Sequence, residues 1–239
     1  MSLRLWTALM AGICGLVILM SLFIGATWIS SGEVLAGLRG NASDPINTII
    51  QSIRLPRAIL AALVGAGLGA SGAALQGFTR NPLAAPGLLG FSACAALGAV
   101  LALYFNLPHF ITPAAIGFSL VGALAMTAFS RRKPGASGLV LAGIGIGALA
   151  TAITGMVMNF APNPWALSEL VYWLMGSLKN ADNTDVLIAG PLTLIGCALL
   201  CFSGPALRVL GLGEETAQSL GISIAVSYTH LTLPTIYSV

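Results

Sequence analysis

The sequence is 239 residues long, with 57% hydrophobic residues, only 7% charged residues and a formal net charge of +3. Roughly a quarter of the residues in a soluble domain are charged, so this chain has too little polar surface for a fold surrounded by water. The basic excess is also too small for a nucleic-acid surface. Composition therefore excludes a soluble globular protein and indicates helices that face lipid.

Six apolar stretches are long enough to cross a hydrocarbon layer of about 30 Å, which takes on the order of 20 helical residues. The sequence therefore predicts an all-α, polytopic transmembrane helix bundle of about six spans. The first stretch is too long for the apolar core of a signal peptide, so we expect it to be an uncleaved span. In chain order the predicted spans are Trp6–Ile29, Ala58–Phe78, Leu88–Leu107, Phe110–Phe129, Leu139–Phe160 and Val186–Phe202.

The distribution of basic residues predicts how these spans are oriented. Arg131, Arg132 and Lys133 form the densest basic cluster, and the positive-inside rule places their loop, between spans four and five, in the cytoplasm. Alternation then places the N-terminus in the cytoplasm and puts Arg54 and Arg57 at the outer mouth of the second span. There they oppose the rule. They are either interfacial arginines that snorkel or pair with lipid phosphate, or contacts for an acidic partner.

Two further segments are too polar to span. Residues 161–185 contain Trp165 and Trp173 between polar ends, which favours a short helix lying at the external interface. Residues 207–221 follow span six on the cytoplasmic side and are punctuated by glycine. Composition alone favours a solvated connector for them.

The chain lacks the motifs of a catalytic or nucleotide-binding protein. It has no GxxxxGK[ST] phosphate loop and no His near Cys, Asp or Glu at metal-ligand spacing, so we expect no catalytic residue, metal site or cofactor. The glycines at 67, 69 and 72 match GxGxxG, but they lie in an apolar span with no preceding strand. Close helix packing is the better interpretation there and at Gly143, Gly145 and Gly147, although the latter run could also loosen its helix. The four cysteines lie in apolar runs and are interpreted as small apolar fillers.

Several segments together resemble one family. RLPR at 54–57, LVGAGLGASGAALQ at 63–76, RNPLAAPGLLG at 80–90, WLMGSL at 173–178 and LGLGEETAQSLG at 210–221 are similar to motifs of the FecCD family of ABC-transporter permeases, which includes BtuC-like proteins. The resemblance covers roughly residues 1–225. One departure is Cys94, where relatives often have Gly and where we expect a local packing adjustment.

The resemblance implies a function and a set of partners. Family members import iron siderophores, haem or vitamin B12, as a permease pair in the bacterial inner membrane. Separate ATPase subunits bind the ATP, and an extracytoplasmic binding protein delivers the cargo. The chain is therefore expected to be a permease and not an enzyme, with cargo and homo- or heterodimer left open. The alternative is an ATPase-independent secondary transporter or channel, which would favour an ionisable residue at mid-membrane depth, and no predicted span has one at its centre.

The resemblance also divides the chain. Family members generally have ten spans, so residues 1–225 are interpreted as the N-terminal portion of a permease domain. Residues 226–239, where several Tyr, Thr and Pro residues follow one another, are interpreted as a foreign or misread tail.

By the same resemblance, three groups of residues receive roles. Arg54 and Arg57 match external arginines that meet glutamates of the binding protein. Coupling to the ATPase is assigned to Leu210, Gly211, Gly213, Glu214, Glu215, Ala217, Leu220 and Gly221. A structural role is assigned to the motif residues Pro56, Gln76, Arg80, Asn81, Pro82, Leu83, Pro86, Gly90, Trp173 and Gly176. Within this set we expect Pro82 to break the second span and Asn81 to cap the next helix.

Overall fold

The computed structural model describes residues 3–130, 136–161 and 163–210. Within these ranges the chain forms helices joined by turns and no β-strand, which confirms the all-α prediction. Three short non-α segments interrupt the helices: a π-helical turn at Ile49–Arg54 and 3-10 turns at Pro86–Leu89 and Pro108–Phe110. The α-helices are α1 (Leu3–Phe23), α2 (Ser31–Leu38), α3 (Asp44–Thr48), α4 (Leu55–Thr79), α5 (Phe91–Tyr104), α6 (Ile111–Ser130), α7 (Ala136–Asn159), α8 (Pro164–Met175) and α9 (Asn183–Leu210).

Five helical segments of the described chain are long and apolar enough to cross a membrane. They are Arg4–Phe23, Asp44–Thr79, Pro108–Phe129, Ser137–Asn159 and Asn183–Pro205. The third predicted span, Leu88–Leu107, corresponds instead to the shorter apolar helix α5 of 14 residues. It starts late because Gly90 has φ +72°, which lies outside the helical region and separates the 3-10 turn from α5.

Two other predicted boundaries are wrong. The first span ends at Phe23 and not at Ile29, and the second is not confined to Ala58–Phe78 but belongs to a continuous helical segment of 36 residues that begins at Asp44. The charges and proline of the RLPR segment indicated a loop. The π-helical turn accommodates them: the N–H of Leu55 donates to the carbonyl of Ile50, five residues back.

The contacts divide the chain into two compact units. The first comprises residues 1–63 and 177–191. Its core contains the buried side chains of Leu22, Ile29, Val34, Ile50 and Ala58. Helix α2 is fixed at its start by a capping box in which the Ser30 hydroxyl accepts from the N–H of Glu33 and the Glu33 carboxylate accepts from the N–H of Ser30. The hydroxyl and N–H of Ser30 hold the pKa of the Glu33 carboxyl below its usual value.

The second unit comprises residues 64–176 and 192–239. Its largest buried side chains include Phe91, Met126 and Leu139. Helix α5 packs against α6, α7 and α8, and more than half of its residues are buried. A helix that is apolar on all sides is shielded from water by neighbouring helices or by lipid, and in α5 the neighbouring helices cover more than half of the residues.

Glycines allow the closest approaches in the second unit. A Cβ added to Gly143 would lie 2.8 Å from the Cα of Leu89, and one added to Gly147 would lie 3.0 Å from the Cα of Gly90. The predicted packing role is therefore confirmed for these two glycines. A Cβ added to Gly145 or Gly69 would meet nothing within 4 Å in the described chain, so at these two positions the packing interpretation stays a prediction.

Cys94, at a position where family members often have Gly, lies against a glycine of the neighbouring helix. Cys94 is buried on α5, and a Cβ added to Gly122 of α6 would lie 2.6 Å from its sulfur. The larger side chain at position 94 therefore requires the absence of one at position 122. The predicted packing adjustment relative to family members stays a prediction, and Gly122 is the position where it would lie.

A double-mutant cycle tests this size complementarity. We expect Gly122→Ala to destabilise the chain by about 1–3 kcal/mol through overpacking. Cys94→Gly should leave a void, and the double variant should be more stable than the two single effects predict, with a coupling energy of about 1 kcal/mol. Thermal unfolding in detergent measures all four proteins. Strict additivity would contradict the contact.

Candidate functional site

The RLPR segment joins the π-helical turn to the start of α4. Pro56 is fully buried and has no N–H, so the carbonyl of Gln51, five residues earlier, receives no donor from it. The side-chain amide of Asn183 donates to that carbonyl instead, at 3.4 Å. Proline thus leaves the carbonyl of Gln51 without a main-chain donor, and the side chain of Asn183, at the start of α9, supplies the donor instead.

Arg54 is the last residue of the π-helical turn, and its side chain is buried. Its guanidinium donates to the carbonyls of Leu22 at 2.8 Å, Phe23 at 3.2 Å and Thr27 at 2.6 Å. Leu22 and Phe23 end α1, where the last carbonyls of a helix lack partners within the helix. Arg54 therefore satisfies the C-terminal end of α1, and its positive charge lies at the negative end of the helix dipole.

Arg57 lies one turn further along α4 and is half-buried. Its Nε donates to the carbonyl of Leu178 at 3.1 Å and its Nη2 to the carbonyl of Lys179 at 2.6 Å. Its Nη1 has no partner among the described residues. Arg57 thus bonds two carbonyls of the segment between α8 and α9, and its Nη1 is the donor that another group could use.

Arg54 and Arg57, which the sequence analysis assigned to one docking site, bond different segments of the chain. In the described part of the chain every acceptor of either guanidinium is a main-chain carbonyl, and neither forms an ion pair. Arg54 has little exposed surface, at 7%, for a partner to contact. Docking by these arginines stays a prediction, and the available donor belongs to Arg57.

The RNPLAAPGLLG motif forms the turn between α4 and α5. The Gln76 amide donates to the carbonyl of Pro82 at 3.0 Å, and the Asn81 side-chain oxygen accepts from the N–H of Leu83 at 2.9 Å. Asn81 therefore stabilises a turn. The prediction that it caps the next helix is wrong, because the following 3-10 turn begins at Pro86 and is preceded by Ala85. Arg80 has φ +53°, as a residue leaving a helix can.

The WLMGSL motif covers the end of α8. The Asn163 side chain caps the start of this helix by accepting from the N–H of Ala166 at 2.9 Å, and Gly176, with φ +72°, ends it. Leu170 is its single buried side chain, whereas Trp165 is 86% and Trp173 38% exposed. The helix predicted for this segment is confirmed, and its location at the external interface stays a prediction.

The predicted coupling residues fall almost entirely outside the described residues. Leu210 is the last residue of α9. Outside the described residues lie Gly211, Gly213, Glu214, Glu215, Ala217, Leu220 and Gly221, and also the basic loop at 131–133 and the tail at 226–239. Their roles stay predictions.

A groove of about 330 Å³ lies in the second unit, and its described lining has no ionisable side chain. Its walls are mainly aliphatic, with the polar side chains of Thr79, Asn81 and Ser137. The described lining thus has hydroxyl and amide groups but no acid or base beside them that would activate a hydroxyl as a nucleophile.

Sequence reasoning missed the partners of the arginines. The carbonyls of residues 22–27 and 178–179 have no signature in the sequence, because every residue carries a carbonyl. One signal was available: Arg54 and Arg57 are charges that oppose the positive-inside rule. Such a charge can be satisfied by groups within the protein as well as by a partner.

The model of the FecCD transport family matches residues 13–237. An Fe(3+)-citrate import system permease protein of Bacillus subtilis is 37% identical over 205 residues, which cover 84% of this chain and 61% of that protein. A hemin transport system permease protein of Yersinia pestis is 36% identical over 201 residues, with coverages of 81% and 60%. A cobalamin import system permease protein of Halobacterium salinarum is 37% identical over 197 residues, with coverages of 79% and 52%. The chain thus spans about 50–60% of the length of these relatives.

One solved structure has the same fold over most of the chain. It is described as a metal-chelate type ABC transporter in an inward-facing conformation, and it superimposes with a TM-score of 0.83 at 27% identity, covering 95% of this chain and 71% of that one. Membrane-length helices and permease relatives together make this a multi-pass membrane protein. The resemblance found in the motifs is confirmed, and the chain belongs to the FecCD transport family.

Proposed function

We propose that this chain supplies membrane-spanning permease helices of an ABC importer. The importer would take an iron–siderophore complex, haem or cobalamin from an extracytoplasmic binding protein, and separate ATPase subunits would drive it. The observation that carries the proposal is the agreement with the metal-chelate transporter fold over 95% of the chain. The names of the relatives support the cargo class, because ferric citrate, hemin and cobalamin are all metal chelates.

The described spans support transport that is powered from outside this chain. Proton-driven transporters place ionisable residues at mid-membrane depth. In the described residues the ionisable groups of the second long segment, Asp44, Arg54 and Arg57, all lie before residue 58, and its part from 58 to 79 has none. Their position favours a passive path whose opening is driven by nucleotide-dependent movement of partner subunits.

The proposed arrangement has two permease copies in the plasma membrane of a bacterium, with the N-terminus of each in the cytoplasm. In this orientation the RLPR segment faces outward, where Arg57 would meet an acidic side chain of the binding protein. The coupling segment, residues 210–221, would face the ATPase. We infer no enzymatic activity and no resident cofactor for this chain, since the ATP would be bound by the ATPase subunits.

A chimeric permease tests this function. The matched part of the Bacillus subtilis Fe(3+)-citrate permease would be replaced by the corresponding part of this chain, and uptake of radioactive ferric citrate would be measured in cells lacking their own permease. We expect uptake that is lost when the phosphate-loop lysine of the ATPase is replaced by Ala. Uptake that persists without ATP hydrolysis would favour a secondary transporter or channel and contradict the proposal. A chimera that reaches the membrane with no uptake would also count against it.

The docking role predicts a specific effect of Arg57. Arg57→Glu in the same chimera should lower the affinity for the binding protein about tenfold, which corresponds to a change of about 1.4 kcal/mol. Arg57→Lys should retain most of the affinity because the charge is kept. Arg39→Glu makes the same charge change at an exposed site that donates to no loop carbonyl. Equal losses for Arg57→Glu and Arg39→Glu would contradict a specific contact.

A further inference from the structure

Gly25 leaves space for a guanidinium at the end of α1. A Cβ added at this position would lie 2.6 Å from Nη2, 2.8 Å from Cζ and 3.0 Å from Nε of Arg54. Real Cβ atoms do not approach other heavy atoms this closely. The guanidinium therefore packs directly on the main chain at residue 25, in a notch that any larger residue would fill.

The charge of Arg54 is compensated inside the protein. Burying a cation is costly unless its donors are satisfied. Three carbonyls from residues 22–27 accept from it, and two of them belong to the negative end of α1. A partner that used this guanidinium would have to break these hydrogen bonds and expose the last carbonyls of the helix.

The apolar core of the first unit lies beside the residues that Arg54 caps and helps to fix the end of α1. Leu22 and Ile29, on either side of the capped segment, are buried in the same cluster as Val34 and Ile50. Ile50 lies in the π-helical turn that ends at Arg54. The π-helical turn thus shares an apolar core with the end of α1 through Ile50 and bonds that end through the guanidinium of Arg54, and together these interactions fix where α1 ends.

We propose that Arg54 is a positioning residue that caps the C-terminal end of α1 in the notch at Gly25. Arg57, one turn away on the same helix, is the matched comparison because it bonds the carbonyls of a different segment. The inference goes beyond the transport proposal, and its tests use this chain alone.

Chemical modification tests the accessibility of the guanidinium. The full chain in native membranes would be treated with p-hydroxyphenylglyoxal, and modified arginines would be identified by mass spectrometry. We expect Arg57 and the exposed Arg39 to react at least several-fold faster than Arg54. Gly25→Ala should displace the guanidinium and bring Arg54 to the rate of Arg57, whereas Gly32→Ala, where an added Cβ meets nothing within 4 Å, should not. Equal reactivity of Arg54 and Arg57 in the unaltered chain would overturn the proposal.

Hydrogen exchange tests the cap itself. In detergent, Arg54→Gln should raise amide exchange in residues 21–24, the last hydrogen-bonded amides at the end of α1, about tenfold and leave residues 177–182 unchanged. Arg57→Gln should do the reverse, and Arg54→Lys should restore part of the protection because an ammonium can still donate to the carbonyls. Unchanged exchange at 21–24 in Arg54→Gln would overturn the proposal. So would the same global increase in both Gln variants, because a local cap would not produce it.

Discussion

Gly90→Ala is expected to destabilise the chain by about 3 kcal/mol, because it combines an unfavourable backbone conformation with an overlap that no side chain can relieve. Gly90 has φ +72°, a region that residues with a Cβ rarely adopt. The added Cβ would lie 2.6 Å from the carbonyl oxygen of Gly143 and 2.8 Å from the nitrogen of Gly147. Both are main-chain atoms of α7, so the helix itself would have to move.

Thermal unfolding in detergent, followed by tryptophan fluorescence, measures this effect. Gly87→Ala is the matched control, since it changes the same turn at a position where an added Cβ meets nothing within 4 Å. Gly145→Ala makes the same change on α7 in open space. Both controls should stay within about 0.5 kcal/mol of the unaltered chain. If Gly90→Ala unfolds at the same temperature as Gly87→Ala, the close approach of the turn to α7 is wrong.

A second variant separates the two causes. Asn tolerates a positive φ better than other residues with a side chain. Gly90→Asn would therefore relieve much of the conformational cost but keep the overlap with α7. We expect it to be nearly as destabilising as Gly90→Ala, which would assign the role of the final glycine of the RNPLAAPGLLG motif to packing.

The later spans were the most predictable part of the fold. The predicted spans Phe110–Phe129, Leu139–Phe160 and Val186–Phe202 overlap α6, α7 and α9 over nearly their whole predicted lengths. Hydropathy is sufficient there because each run is long and apolar throughout and ends at a proline, a basic cluster or a polar segment. The bounds of α9 differ most, since that helix continues past the apolar stretch at both ends.

The region before α4 was the least predictable. Hydropathy assigns Arg54, Pro56 and Arg57 to a loop, because two charges and a helix breaker interrupt the apolar run. The structure keeps them in a helical segment by pairing the charges with distant carbonyls and by widening one turn. Those carbonyls belong to residues 22–27 and 178–179, and no local pattern connects such positions to an arginine.

The sequence predicted that α7 packs closely through its glycines, but it did not predict which segment packs against them. Alternate glycines at 143, 145 and 147 indicate a close approach by another segment. They do not reveal that the segment is the turn at Leu89 and Gly90, or that only two of the three glycines contact it. The orientation of a helix about its axis decides which glycines face inward, and an α7 that is apolar on every side gives hydropathy no basis for that choice.

Gly98→Ala is expected to be as destabilising as Gly90→Ala, at about 3 kcal/mol. The added Cβ would overlap the carbonyl oxygen of Ala114 and lie 2.8 Å from the carbonyl carbon of that residue and 2.9 Å from the Cβ of Phe118. Helix α5 cannot simply move away, because α7 and α8 also pack against it. Relief would require separating α5 from α6, which would open a void along a buried surface.

The matched control is Gly117→Ala on α6, where the added Cβ meets nothing within 4 Å in the described chain. Ala is the better helix former, so this control should be neutral or slightly stabilising. Unfolding in detergent and proteolysis at the turn between α5 and α6 report on the separation of the two helices. Gly98→Ala should unfold at a lower temperature and be cleaved faster there than Gly117→Ala. Equal behaviour of the two variants would mean that α5 and α6 are further apart than the contact at Gly98 requires.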